Sequence, residues 1–457
     1  MEAPWQRGIF QTLILNKEKM LKQVVFIIAL LITLGVFTYT LMRVLSYFKL
    51  TRQNFPVRQL GRRFNLMMKV AVGQTKIFRR PVIGLLHALV FWGFIVILIG
   101  SIEMVVDGIL GTERIFRALG VVYDVIIGAG DVFALIIAVA IVVFLARRLF
   151  LHVRRFSGIE MDHKKHIDAN FALSLILLLM ITLLGMNTFY IQHALATGHE
   201  IHGVFPVSRL MAPWFAGMSG DQLFIYHEAN WWAHILLIFF FANYLPYSKH
   251  FHVFLSVPNV FLSRLDPLGK LDTMENVKKE VQMMLDPNAT FDEPAEEGEV
   301  ERFGVKDVED VTWKNYFDSL ACTQCGRCTD VCPANITGKK LSPRKIVMDV
   351  RARMQEKGPQ MVKQGRDYDD TKALLRDYIT EEELWACTTC NACAQECPIN
   401  INHPTLIVEM RRYLVMEESA GPGDLNAIFT NIENNGAPWQ YSQEDRMQWA
   451  EELYMNE

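Results

Sequence analysis

Five stretches of mostly apolar residues constrain this chain more than any other feature: 24–47, 82–106, 121–149, 171–191 and 223–247. Each is near the ~20 residues that an α-helix needs to cross the hydrocarbon of a bilayer. The first is too long, starts too late and lacks a small-residue cleavage site, so it reads as an anchor rather than a signal peptide. The pattern predicts an all-α protein whose first part is a five-helix transmembrane bundle in contact with membrane lipid. Beyond His252 the composition changes. The remainder is acidic and holds all eight cysteines. The formal net charge of −3 averages two unlike parts and gives no support to nucleic-acid binding.

Loop charges orient the bundle. Residues 43–80 carry Arg43, Lys49, Arg52, Arg58, Arg62, Arg63, Lys69, Lys76, Arg79 and Arg80 without one Asp or Glu. The connection after the third stretch carries Arg147, Arg148, Arg154, Arg155, Lys164 and Lys165. By the positive-inside rule both face the cytoplasm. An odd number of spans then puts the N-terminus outside and the cysteine-bearing part in the cytoplasm. Lys17, Lys19 and Lys22 argue the other way and are outnumbered.

The cysteines form two matching runs, Cys322, Cys325, Cys328, Cys332-Pro333 and Cys387, Cys390, Cys393, Cys397-Pro398. Both follow C-x-x-C-x-x-C-x-x-x-C-P, the spacing that ligates [4Fe-4S] clusters, with the fourth cysteine of each run serving the other cluster. One cluster then takes Cys322, Cys325, Cys328 and Cys397. The other takes Cys387, Cys390, Cys393 and Cys332. Zinc sites use paired C-x-x-C units and fit a third evenly spaced cysteine poorly. Such dense C-x-x-C usage also sits badly with an oxidising compartment and disulfides.

The 54 residues between the runs read as helices. Ser342-Pro343 is an N-cap with proline at N1, Gly358 closes that helix, and Thr380 with Glu383 is a capping box. Residues 1–252 form the membrane part, 253–311 an acidic linker that includes the run 291–299, 312–414 an α-helical ferredoxin domain, and 415–457 a C-terminal tail for docking a partner.

Histidines within a span are costly and mark function by default. His87 lies near the start of the second stretch; His227, His234 and His252 lie on or just beyond the fifth. His234 and His252 are five full turns apart on an unbroken helix, ~27 Å, and so point the same way. This arrangement suits b-type haem on one or both sides of the membrane. The inner haem pairs His87 with His252, or with His250 if the helix ends early. The outer haem needs His234 or His227 with a partner such as His193. Asp124 and Asp131 on the third span either line a proton path or make structural hydrogen bonds.

Residues 313–414 resemble the ferredoxin domains of heterodisulfide reductase and of the iron–sulfur subunits of succinate dehydrogenase and fumarate reductase. The membrane part is similar to the cytochrome b (gamma) subunit of respiratory nitrate reductase. That likeness implies haem ligands at His87, His234 and His252, but Ile97 and Ser101 stand where a second histidine of the second span is expected. The fusion resembles membrane-bound heterodisulfide-reductase-type oxidoreductases of bacterial cytoplasmic membranes. In these a catalytic module with CCG motifs follows a segment like the one here from Asn431 to Trp449. The resemblance implies an electron-transfer subunit between menaquinone or its quinol and a separate CCG-type iron–sulfur or flavoprotein partner. The alternative is a haem-free membrane-anchored ferredoxin serving cofactor or oxidase assembly. No P-loop, Rossmann fingerprint or hydrolytic triad is present.

Overall fold

A computed structural model describes residues 4–286, 302–440, 442 and 444–454. The acidic run 291–299 expected in the linker lies outside these residues. Among them no strand forms, and the architecture is all-α. The membrane part comprises α1 (Pro4–Phe48), α2 (Leu60–Met67), α3 (Pro81–Leu110), α4 (Val121–Phe150), α5 (His163–Thr197) and α6 (Gly220–Tyr244). Helices α5 and α6 are antiparallel partners. Phe189 stacks on Tyr226 at 5.2 Å near one end, and Phe171 meets Phe240 edge-on at 6.3 Å near the other.

Two expectations for this part are corrected. Among the described residues four helices, not five, are long and apolar enough to cross a membrane: Lys19–Phe48, Pro81–Leu110, Val121–Phe150 and His163–Thr197. Helix α6 has 25 residues and packs with them, but Asp221, His227, Glu228, Asn230, His234 and Asn243 make it more polar. Nor does α6 continue to His252. It ends at Tyr244 and gives way to two 3₁₀ turns, Leu245–Tyr247 and Lys249–Phe251, with Ser248 extended between them. The cause is Pro246, which has no N–H to donate and clashes with the preceding turn. A new helix, α7 (His252–Phe261), then starts at His252, so His234 and His252 share no helix face.

The cysteine-bearing part is built on α8 (Trp313–Ala321), α9 (Pro343–Gln364) and α10 (His403–Arg412). Thr312 and Asn315 make a capping box at α8, and Ser342 Oγ accepts from Lys345 N at the start of α9. The Thr380–Glu383 capping box forms as its sequence implies. Gly358 does not end α9, which runs on to Gln364. A Cβ at Gly358 would come within 3.2 Å of the Tyr47 ring, so this glycine admits α1 against α9. That contact belongs to one apolar core in which Tyr47, Leu50, Leu245 and Phe251 pack with Val308, Tyr316, Met354 and Leu406. The bundle and the cysteine-bearing part therefore fold around shared side chains.

The two basic connections form the docking face. Arg80 pairs with Asp330 at 2.6 Å and Arg79 with Glu396 at 3.2 Å. Arg52 N donates to Val311 O, and Trp313 N to Arg52 O, both at 2.9 Å. At the second connection Arg344, fully buried, meets Glu160, 6% exposed. Its Nε and Nη2 donate to Glu160 Oε1 at 2.7 and 2.6 Å, Nη1 to Arg155 O at 2.7 Å, and Nη2 to Ser157 O at 3.0 Å. Ser342 Oγ donates to the same carboxylate at 2.6 Å. Burial alone would raise the Glu160 pKa, but Arg344 and Ser342 hold it below the ordinary carboxylate range.

Removing one partner of a desolvated ion pair strands the other, at a cost of about 3–5 kcal/mol. Arg344→Met is therefore expected to destabilise the docked structure by about that much in thermal or denaturant unfolding of the detergent-solubilised protein. A loss below about 1 kcal/mol would place the docking energy elsewhere. Because the Glu160 pKa is depressed in the folded state, its contribution is present above its unfolded value and fades as pH falls through the folded one. Glu160→Gln should flatten that acid limb.

Candidate functional site

The structure sorts the eight thiols into two groups of four. Cys328 and Cys397 each lie within electrostatic reach of Cys322 and Cys325. Cys393 is in reach of Cys387, Cys332 and Cys390, and these four line one small cavity with Pro333 and Pro404. Cys397 thus lies near the first run and Cys332 near the second, while Cys328 also lies within electrostatic reach of Cys393. All eight are free thiols. Burial raises the pKa of Cys322 to about 11 and those of Cys393 and Cys397 to about 12. Left to themselves these thiols stay neutral; a site that holds them as thiolates needs strong positive charge at its centre, as iron supplies.

The two groups differ in position. The Cys322 group is pressed against the bundle. Gly326, at φ 74°, sits where a Cβ would come within 2.3 Å of Arg155 O, so only glycine permits this approach. Arg327 donates to Lys76 O at 2.9 Å and Ile77 O at 3.3 Å, just before α3. Lys76 Nζ in turn donates to Cys397 O at 3.1 Å. The Cys387 group faces away, and Cys390 is exposed. Cys322, Cys328 and Cys397 are all buried.

His87 lies in the second turn of α3, within electrostatic reach of both His252 and Arg327. Its Nδ1 is buried without a hydrogen-bond partner. His252 Nδ1 donates to Lys249 O at 3.1 Å, which leaves Nε2 with its lone pair. A ring N–H held by a backbone carbonyl is the usual setting of a metal-ligating histidine. The His250 ring lies 5.7 Å from that of His252. The break at Pro246 thus brings His252 to His87 by a route the unbroken helix did not foresee. His87 and His252 are the imidazoles at this end that could hold a haem iron.

At the opposite end of the bundle a cavity of about 580 Å³ is lined by His193, His227 and His234 along with Ile97, Gly100 and Ser101. His193 stacks on His199 at 6.0 Å between ring centroids, and both line the cavity with His202. His193 meets Phe224 at 5.8 Å, and Phe224 is ten residues, ~15 Å, along α6 from His234. His227 Nδ1 donates to Met186 O at 3.0 Å. Among the described residues no other imidazole is in ring contact with His234, and α3 offers Ile97, Gly100 and Ser101.

Asp131 makes structural bonds. It accepts from Val207 N at 2.8 Å, Ser208 N at 2.9 Å, Asn187 Nδ2 at 3.3 Å and Ser208 Oγ, tying the 199–219 connection to α4 and α5. Sequence reasoning missed Arg327, Gly326 and Arg344. Of these, the Gly-Arg pair inside a cysteine run gave a signal at Gly326 and Arg327.

Residues 321–401 match the family described as a 4Fe-4S dicluster domain. The chain is 27% identical to a probable iron-sulfur-binding oxidoreductase of Bacillus subtilis, over 93% of this chain and 60% of that protein. It is 27% identical to the EtfAB:quinone oxidoreductase of Syntrophomonas wolfei, over 84% of this chain and 53% of that protein. A probable membrane-anchored ferredoxin of Chromohalobacter salexigens matches 33% of the chain at 34% identity, over 24% of its own length. Shorter segments match subunits C and D of heterodisulfide reductases of Methanosarcina acetivorans. No solved structure matches. The chain spans 53–60% of the first two relatives. With four helices apolar enough to span, it is a membrane protein whose relatives are iron–sulfur oxidoreductases.

Proposed function

We propose that this chain is the membrane electron-transfer subunit of a quinone-linked oxidoreductase, in the cytoplasmic membrane of a bacterium. Two [4Fe-4S] clusters and one b-type haem, when bound, supply one-electron carriers. The observation that carries the reading is the unequal placement of the two thiol groups. Cys322, Cys325, Cys328 and Cys397 hold their cluster against the bundle beside His87 and His252, which hold the haem. Cys332, Cys387, Cys390 and Cys393 hold the other at the surface, where Cys390 meets solvent.

The chain's own residues order this route. Arg327 and Lys76 bind the inner cysteine loops to the start of α3, and Ile399, Ile401 and Val347 exclude water around Cys322 and Cys397. The basic connections facing the cysteine-bearing part support a cytoplasmic position for it. Beyond it, α11 (Gly423–Asn435) exposes Phe429 and Ile432, and Trp439 and Trp449 follow, an apolar surface for a partner. By analogy with the heterodisulfide reductase relatives, that partner is a CCG-type iron–sulfur or a flavoprotein subunit. The name of the Syntrophomonas wolfei relative supports a quinone at the membrane end. The match to a membrane-anchored ferredoxin favours a second reading, a haem-free ferredoxin of cofactor or oxidase assembly.

Haem separates the two. The purified protein is expected to show a dithionite-reducible b-type α band, and His87→Ala to abolish it while leaving iron–sulfur content unchanged. A wild-type sample without the band would establish the second reading. Crossed ligation has its own test: Cys322→Ala combined with Cys397→Ala should remove one cluster and about half of the non-haem iron. If each run served its own cluster, the same pair would remove nearly all of it.

A further inference from the structure

We infer that the cavity at the end of the bundle away from the cysteines is the site of a quinone headgroup. This deepens the quinone-linked reading above and rests on it. The cavity, about 580 Å³, lies among the first halves of α4 and α6 and the last halves of α3 and α5, and both apolar and polar groups line it. Toward the interior are Phe26, Val96, Ile97, Gly100 and His234. Toward the surface are His227, Glu228, Lys22 and Arg114. A flat apolar ring with a hydrogen-bonding oxygen at each end suits a lining that offers apolar walls and imidazoles together.

His234 is set up as a hydrogen-bonding group. Its Nδ1 lies 3.0 Å from Thr182 Oγ1. The one Thr182 hydroxyl hydrogen is directed at the carbonyls of Leu178 and Leu179, at 2.9 and 3.0 Å, so Thr182 accepts and Nδ1 carries the proton. Nε2 is then an acceptor for a quinol O–H. His227 repeats the arrangement one level outward, with Nδ1 donating to Met186 O at 3.0 Å. Glu228, next to it, pairs with Lys22 at 2.7 Å at the cavity mouth. Met104 and Met186, the thioethers at the wall, are packed with Phe26, Ile235 and Phe239.

On oxidation, the two quinol O–H bonds break. The two protons leave through His227 and Glu228 to the water outside. The two electrons pass singly to the chain's own iron-containing acceptors. Quinone reduction is the same step reversed. Protons are therefore exchanged on the face opposite the clusters.

Gly100 supplies the clean perturbation, because a Cβ there meets nothing within 4 Å and a large side chain enters open space. The full-length protein in lipid nanodiscs would be titrated with menadione, following quenching of tryptophan fluorescence, Trp231 being part of the cavity wall. Reduction by menadiol would be followed anaerobically through the iron–sulfur absorbance. Gly100→Trp and His234→Leu are expected to weaken menadione binding and slow reduction by menadiol, each on the order of tenfold or more. Haem content and reduction by dithionite should stay unchanged. Unchanged menadione binding in both variants would overturn the assignment. So would loss of a haem in either, which would make the cavity a haem site. If the wild type neither binds menadione nor accepts electrons from menadiol, the quinone-linked reading itself fails, and the site with it.

Discussion

The contact on which the rest of the molecule depends is the burial of Arg344 against Glu160 and the carbonyls of Arg155 and Ser157. A guanidinium and a carboxylate taken out of water together usually cost as much in desolvation as they regain in attraction. Here the cost is offset by hydrogen bonds: three nitrogens of Arg344 donate, and Glu160 Oε1 accepts from both Arg344 and Ser342. What the pair contributes is position. It fixes the start of α9 over the second basic connection, and the loop carrying Gly326 and Cys328 is clamped onto Arg155 by the same arginine. A shift of the docking face by even an ångström would open the space that Gly326 leaves for the carbonyl of Arg155.

The basic connections thus act twice. Their excess of arginine and lysine gives the orientation signal read from the sequence. In the folded protein several of the same charges bind the cysteine-bearing part and the segment that leads to it, though only Arg63 is buried. Arg79 and Arg80 pair with Glu396 and Asp330, Lys76 caps the carbonyl of Cys397, and Arg63 binds the carbonyls of Phe261 and Ser263 at 3.1 and 2.7 Å. Arginine suits this work because its planar fork reaches several acceptors at once and stays charged when buried. The docked part supplies its acids and carbonyls to a surface that would otherwise repel itself.

The order of the parts was legible in the sequence because it rests on local patterns: apolar length, cysteine spacing, and caps such as Ser342 and Thr380. What was not legible depends on which parts meet. Glu160 reads as one acid in a basic loop until Arg344, far away in sequence, lands on it. Gly358 reads as a helix stop, yet its purpose is to admit Tyr47. The break before His252 is different, since Pro246 announced it. A face computed by counting turns through a proline assumes a hydrogen bond that the proline cannot make. Likewise the fifth helix has the length of a span, but its histidines, acids and amides leave it less apolar than its neighbours.

That polarity is itself informative about the bundle. A helix that carries His227, Glu228, Asn230, His234 and Asn243 can lie beside apolar helices only if those groups are satisfied internally or open onto a cavity. Asn243 donates to Phe239 O at 3.0 Å and to Thr33 O at 3.3 Å, and Asn230 donates to Tyr226 O at 2.8 Å. His234 and His227 are each tied through one ring nitrogen to α5, leaving the second nitrogen unspent. Two imidazoles fixed in this way on a single helix, on the side remote from every cysteine, are hard to account for by packing alone. Leucine would fill the same volume without a polar atom to satisfy. The retained nitrogens are better explained by a polar guest than by the stability of the bundle.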